Sequence, residues 1–526
     1  MDTIEATAAG DASGPVTEGL SSEATSTQIR GSSLLLLGRI IATAVNVLIQ
    51  VVIVRYLSKE QFGAFAYALS LVTLGEAIVT AGLDRAITRF LPIYDEEGKP
   101  GKMLGTLVLV CGTILSLGLA VIVITLGLRA LAGGSLLGDA QAVALLSIMI
   151  VLAPLQAIDT VATGVFAVFS KPTAIFFRKY LLEPGLKLMA VTALVWSHST
   201  PRSLAAGYVA AGIVGTLFYV WVLFRMLSRS GVLRRFRETR LEIPVREVLS
   251  FTIPLLTSDL LYSVLTTSDA IMLARWRGAE EVAAFRVVQP AARLNQLVLT
   301  SFALLFTAVA ARMFARRSKK ELGHLYWQTA VWMAVLAFPM FAVTFALARP
   351  VTETMYGARY ADSAIMMSLL SFGYYFNVVL GFNGLMLKVV GKLRAVVAIN
   401  AVALVVNLAL NVVLIRAYGA LGAAIGTAAT LVVHNLLKQG ALGLATGVSL
   451  FEPRLRGLYA TIVMTAAALI LLQHALDPPL IVGLIAAGLG SLLVFAVGRP
   501  SLAVGDTFPE LMRYRLVRMM IGGRGK

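Results

Sequence analysis

The chain has 526 residues, of which 58% are apolar and only 14% charged, and its mean hydropathy is +0.83. A soluble chain of this length needs far more polar surface to cover its core, so a water-soluble enzyme is excluded; about 305 apolar positions suffice for a dozen or more membrane spans of about 20 residues each. The formal charge of +17 sits on bases between the apolar runs, which points to loop orientation and away from nucleic acid as a partner.

Residues 1–33 are rich in Ser, Thr, Gly and acids and lack a basic start followed by an apolar run, so they read as a disordered, solvated tail and not a signal peptide. Fourteen apolar segments follow, at about 34–55, 62–83, 103–128, 141–169, 173–196, 204–227, 248–274, 282–311, 324–348, 363–387, 395–415, 420–446, 457–473 and 480–498. The single cysteine, Cys111, lies in the third of these, so neither a disulfide nor a cysteine-based metal site is expected. An even number of spans puts both termini on one side. The tails and even-numbered loops carry 32 of the Lys and Arg residues and the odd-numbered loops 10, which orients both termini to the cytoplasm. Arg234, Arg235, Arg237 and Arg240 form one dense cytoplasmic cluster, and Arg316, Arg317, Lys319 and Lys320 another.

Two stretches repeat at an offset of 220 residues. Arg55 to Phe65, at the end of span 1, and Arg275 to Phe285, at the end of span 7, share an Arg, an aromatic, a Glu, a small pair and a Phe. A six-span repeat returns to the same side of the membrane, so the halves are parallel, and a substrate site is expected between them. This divides the chain into a tail at 1–33, a six-helix bundle at 34–227, a basic linker at 228–247, a second bundle at 248–446, an appended helix pair at 447–498 and a basic tail at 499–526. The expected fold is all-α and polytopic.

The stretch RYLSKEQFGAFAYALSLVTLGEAIVTAGLDRAITRFLP (Arg55 to Pro92) resembles the first-repeat signature of Wzx-type polysaccharide-export flippases. These belong to the multidrug/oligosaccharidyl-lipid/polysaccharide superfamily. Ser250 to Phe285, with Pro254, resembles the opening of the second repeat, and Met355 to Ala428 gives a third match. The resemblance implies a V of two six-helix bundles that moves a lipid-linked oligosaccharide from the cytoplasmic to the outer leaflet by alternating access. It also implies a polyprenyl phosphate or diphosphate carrier, a bacterial or archaeal cell membrane, and a glycan polymerase or glycosyltransferases as partners.

Charges within spans are costly and mark functional positions. Eight fall there: Arg39, Glu76, Asp159, Glu183, Lys187, Asp259, Asp269 and Arg293. Arg39 and Glu76 share a depth and are candidates to pair, while Asp159, Glu183, Lys187, Asp259 and Arg293 fall near the midplane. Arg39, Arg293 and Lys187 are the candidate substrate-binding cations, because a diphosphate calls for permanently charged donors, forked in the case of arginine. Glu183 and Lys187 stand at i and i+4 and are equally consistent with a structural pair. Five acids against three bases leave the spans at a net −2, so Asp159, Asp259 or Asp269 is expected to couple transport to H⁺ or Na⁺. Arg85, Arg89 and Arg178, near cytoplasmic span ends, are placed to receive an anionic headgroup first, but the simpler reading, ordinary orienting bases, is preferred. Pro254, Pro290 and the Glu183-Pro184-Gly185 step are candidate hinges. Gly422 and Gly426, and the aligned Asn400, Asn407 and Asn411, read as helix-packing features.

No GxxxxGK[ST], HExxH or GxSxG occurs, and His198, His324, His434 and His474 are scattered, so no cofactor, metal site or catalysis is expected. The alternatives on the same architecture are a drug/cation antiporter of the multidrug-and-toxin extrusion type, whose site is acid-dominated, and a flippase for the peptidoglycan lipid precursor. A membrane polymerase or ligase is disfavoured by the short outward loops.

Overall fold

The computed structural model describes residues 15–131, 140–315 and 319–502. Among these residues every regular element is a helix. α1 (Pro15–Tyr56) turns into α2 (Lys59–Thr80) through a capping box, in which the Ser58 hydroxyl accepts from the Gln61 amide while the Gln61 side chain accepts from the Ser58 N–H. α1 begins at Pro15, so helix covers residues 15–33, where composition alone gave a disordered tail; once the apolar segment nucleates a helix, it propagates into polar residues upstream. Residues 1–14 of that tail lie outside the described residues. After a left-handed Ala81-Gly82 step come α3 (Leu83–Glu96) and α4 (Pro100–Leu131).

The first half continues with α5 (Ala140–Met149), α6 (Leu152–Val168), the single turn α7 (Pro172–Ile175), a π-helical stretch Phe176–Leu182, α8 (Glu183–Trp196) and α9 (Pro201–Arg229). The basic linker contains a short α10 (Val232–Glu238). The second half holds α11 (Val245–Trp276), α12 (Ala279–Arg293), a 3₁₀ turn Leu294–Gln296, α13 (Leu297–Ala315), α14 (Lys319–Phe341), a π stretch Ala342–Ala346, α15 (Ala348–Tyr356), α16 (Ser363–Val379), α17 (Asn383–Val389) and α18 (Leu393–Thr446). The appended pair is α19 (Arg456–Leu476) and α20 (Leu480–Leu502). Arg316 and Arg317 and the tail beyond Leu502 fall outside the described residues.

The molecule is a multi-pass membrane protein. Each of the fourteen apolar segments falls on helix, and eleven helices among the described residues are long and apolar enough to span a bilayer. The difference has structural causes. The 54-residue α18 is a hairpin folded at Gly419 (φ 58°), with Gly426 against Asn411 and His434 bonded to Asn400 across its two limbs. A Cβ at Gly422 would stand 2.0 Å from the Leu414 carbonyl oxygen, so only glycine lets the limbs close. Segments 172–196 and 279–315 are interrupted by the π stretch and the 3₁₀ turn.

The two halves meet where the repeat places them. α2 packs on both α11 and α12, and a Cβ at Gly63 would stand 1.8 Å from the Ala279 carbonyl oxygen. The hairpins that open each half therefore touch backbone to backbone.

Candidate functional site

A cavity of about 360 Å³ lies between the halves, lined by α1, α2, α6, the π stretch, α8 and α9 from the first and by α11 and α12 from the second. Its charged lining is Asp159, Arg178, Glu183, Lys187, Arg286 and Arg293. Four bases face two acids there, the reverse of the net −2 counted over the spans.

On the first-half wall the charges satisfy one another. Arg178 donates to Asp159 and reaches Glu183 at 3.5 Å, and Lys187 donates to Glu183 at 2.7 Å. Arg178 is only 3% exposed. It lies in the π stretch, whose wider turn carries it into the wall, and Gly215 makes room for it: a Cβ there would sit 2.8 Å from Nη2. Spacing from the cytoplasmic end of span 5 reads Arg178 as an orienting base; the structure corrects this, because a π turn shifts the register that linear counting assumes. The helical irregularity likewise lies at 176–182, just before Glu183-Pro184-Gly185. Pro184 and Gly185 fall in the first turn of α8, where proline is tolerated.

On the second-half wall the cations have neutral partners. Arg286 donates to Gln289 Oε1 at 2.6 Å and to the Thr266 carbonyl at 3.4 Å, while its buried Nε has no acceptor among the described residues. Arg293 donates from Nε to the Tyr374 hydroxyl at 3.0 Å. Neither guanidinium has a carboxylate within 4 Å among the described residues. Arg286 is the residue the sequence reading missed: it lies seven residues into α12 and was counted with the outward loop.

Pro290 lies inside α12 and has no N–H for the Arg286 carbonyl. Gln50 of α1 supplies a donor instead, bonding the Val287 carbonyl at 2.9 Å and the Arg286 carbonyl at 3.4 Å. The proline step is thus bridged from the opposite half. Pro254 lies within an uninterrupted α11.

The remaining candidates fall elsewhere. Arg39 donates to the Thr300 carbonyl at 3.4 Å and forms no ion pair with Glu76. Glu76 is half-buried, has no ion pair among the described residues, and lies within electrostatic reach of Glu183, Lys179 and Lys187. Asp259 pairs with Arg85 at 2.9 Å, away from the cavity lining. Asp269 is 1% exposed between α11 and α18, where it accepts from Asn411 and from Thr427 at 2.8 Å. Asn407 accepts from Ser268 of α11 at 3.1 Å and Asn400 bonds His434 of the other α18 limb, so the asparagine row is interhelical, as its alignment suggests, and Asp269 belongs to it.

The two ends of the half-to-half interface use different chemistry. At one end Arg55 donates to the Met355 carbonyl at 2.9 Å and to that of Thr354, and Arg359 donates to the Leu57 carbonyl at 2.7 Å and to that of Val54. Each arginine thereby caps the end of a helix in the other half, where carbonyls lack partners and the helix dipole is negative. At the other end the acceptors are carboxylates: Asp259 for Arg85, and Glu247 for Tyr94 (2.6 Å) and Lys102 (2.8 Å).

Residues 29–309, more than half of the chain, match the polysaccharide biosynthesis protein family. The chain belongs to that family. Residues 254–413 also match the MatE family. The succinoglycan biosynthesis transport protein ExoT of Rhizobium meliloti (strain 1021) is 26% identical over 333 residues, 61% of this chain and 60% of its own. The chain thus matches about three-fifths of that relative's length. Among solved structures, the lipid II flippase MurJ in an inward closed conformation superposes with a TM-score of 0.68 at 12% identity, over 90% of this chain and 99% of its own. An inward-facing multidrug resistance MATE transporter of the MOP superfamily gives a TM-score of 0.61 at 15% identity, over 78% and 96%. These likenesses establish the transporter fold, with its cavity between two halves.

Proposed function

We propose that this protein is a flippase that carries a lipid-linked oligosaccharide, on a polyprenyl phosphate or diphosphate, from the cytoplasmic to the outer leaflet for surface glycan synthesis. The observation that carries the reading is the pair Arg286 and Arg293, two permanently charged, forked donors in a membrane cavity with no carboxylate within 4 Å among the described residues, Asp269 reaching them only at longer range. Such a pair is suited to phosphate oxygens, each contact being charge-assisted. The family match and the transport role in the name of ExoT support the same reading. The excess of cations over acids in the cavity disfavours the drug/cation antiporter. Lys187 serves as a neutralised member of the opposite wall, and Arg39 as an interhelical contact.

The Lys and Arg asymmetry supports fourteen crossings with both termini in the cytoplasm of a cell membrane, the helical hairpin α18 counting as two. Alternating access then requires the outer arginine-to-carbonyl ties and the inner carboxylate ties to break in turn. Of the three aspartates proposed for ion coupling, Asp159 and Asp259 are paired with arginines. Asp269 is held by neutral donors, which favours it as the H⁺ or Na⁺ site. Among the described residues no cluster of three or more His, Cys, Asp and Glu exists to hold a metal ion.

The test is reconstitution in vesicles with a fluorescent polyprenyl diphosphate-linked sugar. Transport by the wild type and its loss in Arg286→Gln/Arg293→Gln support the function; the same loss for an organic cation in place of the lipid would move it to the antiporter class. Imposed H⁺ and Na⁺ gradients test the coupling: a transport rate in Asp269→Asn that responds to both as the wild type does removes Asp269 from that role. Cells lacking the gene separate surface glycan from cell-wall precursor by which lipid accumulates.

A further inference from the structure

The cytoplasmic end of the interface holds more cations than it neutralises. Arg85 of α3 and Asp259 of α11 form their pair with side chains 42% and 34% exposed, so it is open to exchange with solvent ions. Lys388, in the last turn of α17, is exposed, and the charges of Arg85 and Asp259 both reach it. Lys438 comes from the second limb of α18 and lies across α17 at Gly384, its Nζ 3.6 Å from where a Cβ would stand. Gly384 and Lys388 are four residues apart and so share one face of α17. The two ammonium groups therefore lie on the same face and repel one another. Neither has a carboxylate within 4 Å among the described residues, and none of these four residues lines the central cavity.

Like charges held together at a membrane boundary invite a multivalent anion. We infer that Arg85, Lys388 and Lys438 form a loading site for the phosphate groups of an isoprenoid phosphate or diphosphate at the cytoplasmic mouth, distinct from the Arg286 and Arg293 pair in the cavity. This rests on the flippase reading. Asp259 is the resident partner that holds Arg85 until a phosphate oxygen takes its place. Arg85 belongs to the first half and both lysines to the second, so a bound phosphate joins the halves where the Arg85 to Asp259 pair joins them in its absence. A substrate arriving from the cytoplasmic leaflet thus keeps that end tied while it docks.

The experiment is a titration of the full-length protein, in nanodiscs of zwitterionic lipid, with radiolabelled farnesyl diphosphate as probe. Two classes of site are expected. Lys388→Gln/Lys438→Gln should remove one class and weaken the overall response by about tenfold per lost charged contact, while Lys388→Arg/Lys438→Arg retains it; Arg286→Gln/Arg293→Gln should remove the other. A Lys388→Gln/Lys438→Gln titration that superimposes on wild type, with all binding lost in Arg286→Gln/Arg293→Gln, overturns the loading site and leaves the cavity reading standing. Retention of both classes in Arg286→Gln/Arg293→Gln overturns the cavity reading instead. Displacement from the class that Lys388→Gln/Lys438→Gln removes by inorganic pyrophosphate supports recognition of the phosphates themselves. Displacement by phosphatidylglycerol and not by pyrophosphate overturns the proposal in favour of a structural lipid.

Discussion

The two walls of the cavity are both charged but differ in what their charges do. The first-half wall pairs Asp159 and Glu183 with Arg178 and Lys187 and is close to neutral. The second-half wall sets Arg286 and Arg293 against an amide, a carbonyl and a phenol. A buried ion pair is a structural commitment, because removing one member strands the other. A cavity cation hydrogen-bonded only to neutral groups keeps its charge available to a bound anion. On the reading proposed above, the same residue type serves stability on one wall and recognition on the other.

That contrast can be broken experimentally. The largest effect is expected for Arg178→Ala, which leaves Asp159 without its counter-ion and should cost about 3–5 kcal/mol, read as a lowered thermal unfolding midpoint in detergent; the double change Asp159→Asn/Arg178→Gln should recover most of it. Next comes Arg286→Gln/Arg293→Gln. Each loss of a charged contact is worth about 1.5–3 kcal/mol of substrate binding, so transport should fall by about a hundredfold or more, while the unfolding midpoint stays level or rises. A midpoint that falls as it does for Arg178→Ala would show the two walls to be alike. Gly215→Ala places a methyl against the Arg178 guanidinium and should cost about 1–3 kcal/mol by overpacking, again in thermal unfolding. The smallest effect is expected for Lys187→Gln, whose partner Glu183 is 35% exposed. Its loss should shift stability by at most about 1 kcal/mol, and a larger shift would place Lys187 with Arg178.

How much of this was legible beforehand follows from the kind of signal each feature leaves. Apolar runs are a bulk property, so the helical segments were readable, and the offset between Arg55 and Arg275 marked hairpins that do meet at Gly63 and Ala279. The cavity residues were only partly readable. Asp159, Glu183, Lys187 and Arg293 were placed by counting inward from span ends, which works where helices are regular. It fails for Arg178, because the π stretch 176–182 changes the register, and for Arg286, which lies close to a helix start. Partners are not readable by counting at all. Arg39 and Glu76 share a nominal depth yet do not pair, whereas Arg85 and Asp259, 174 residues apart, do.

The bridge from Gln50 to the proline step in α12 carries a consequence for hydration. When α1 withdraws from α12, the Arg286 carbonyl loses its donor at a depth where no lipid can replace it, and an unmet carbonyl there costs about 1–3 kcal/mol. The separated state must therefore be wet at this spot, with water taking up the carbonyl, or else occupied by a hydroxyl-bearing cargo. A sugar is such a donor. A purely apolar guest that displaced this water would leave the carbonyl dry and unpaired, so on the flippase reading proposed above the proline step favours cargo that brings its own hydrogen bonds.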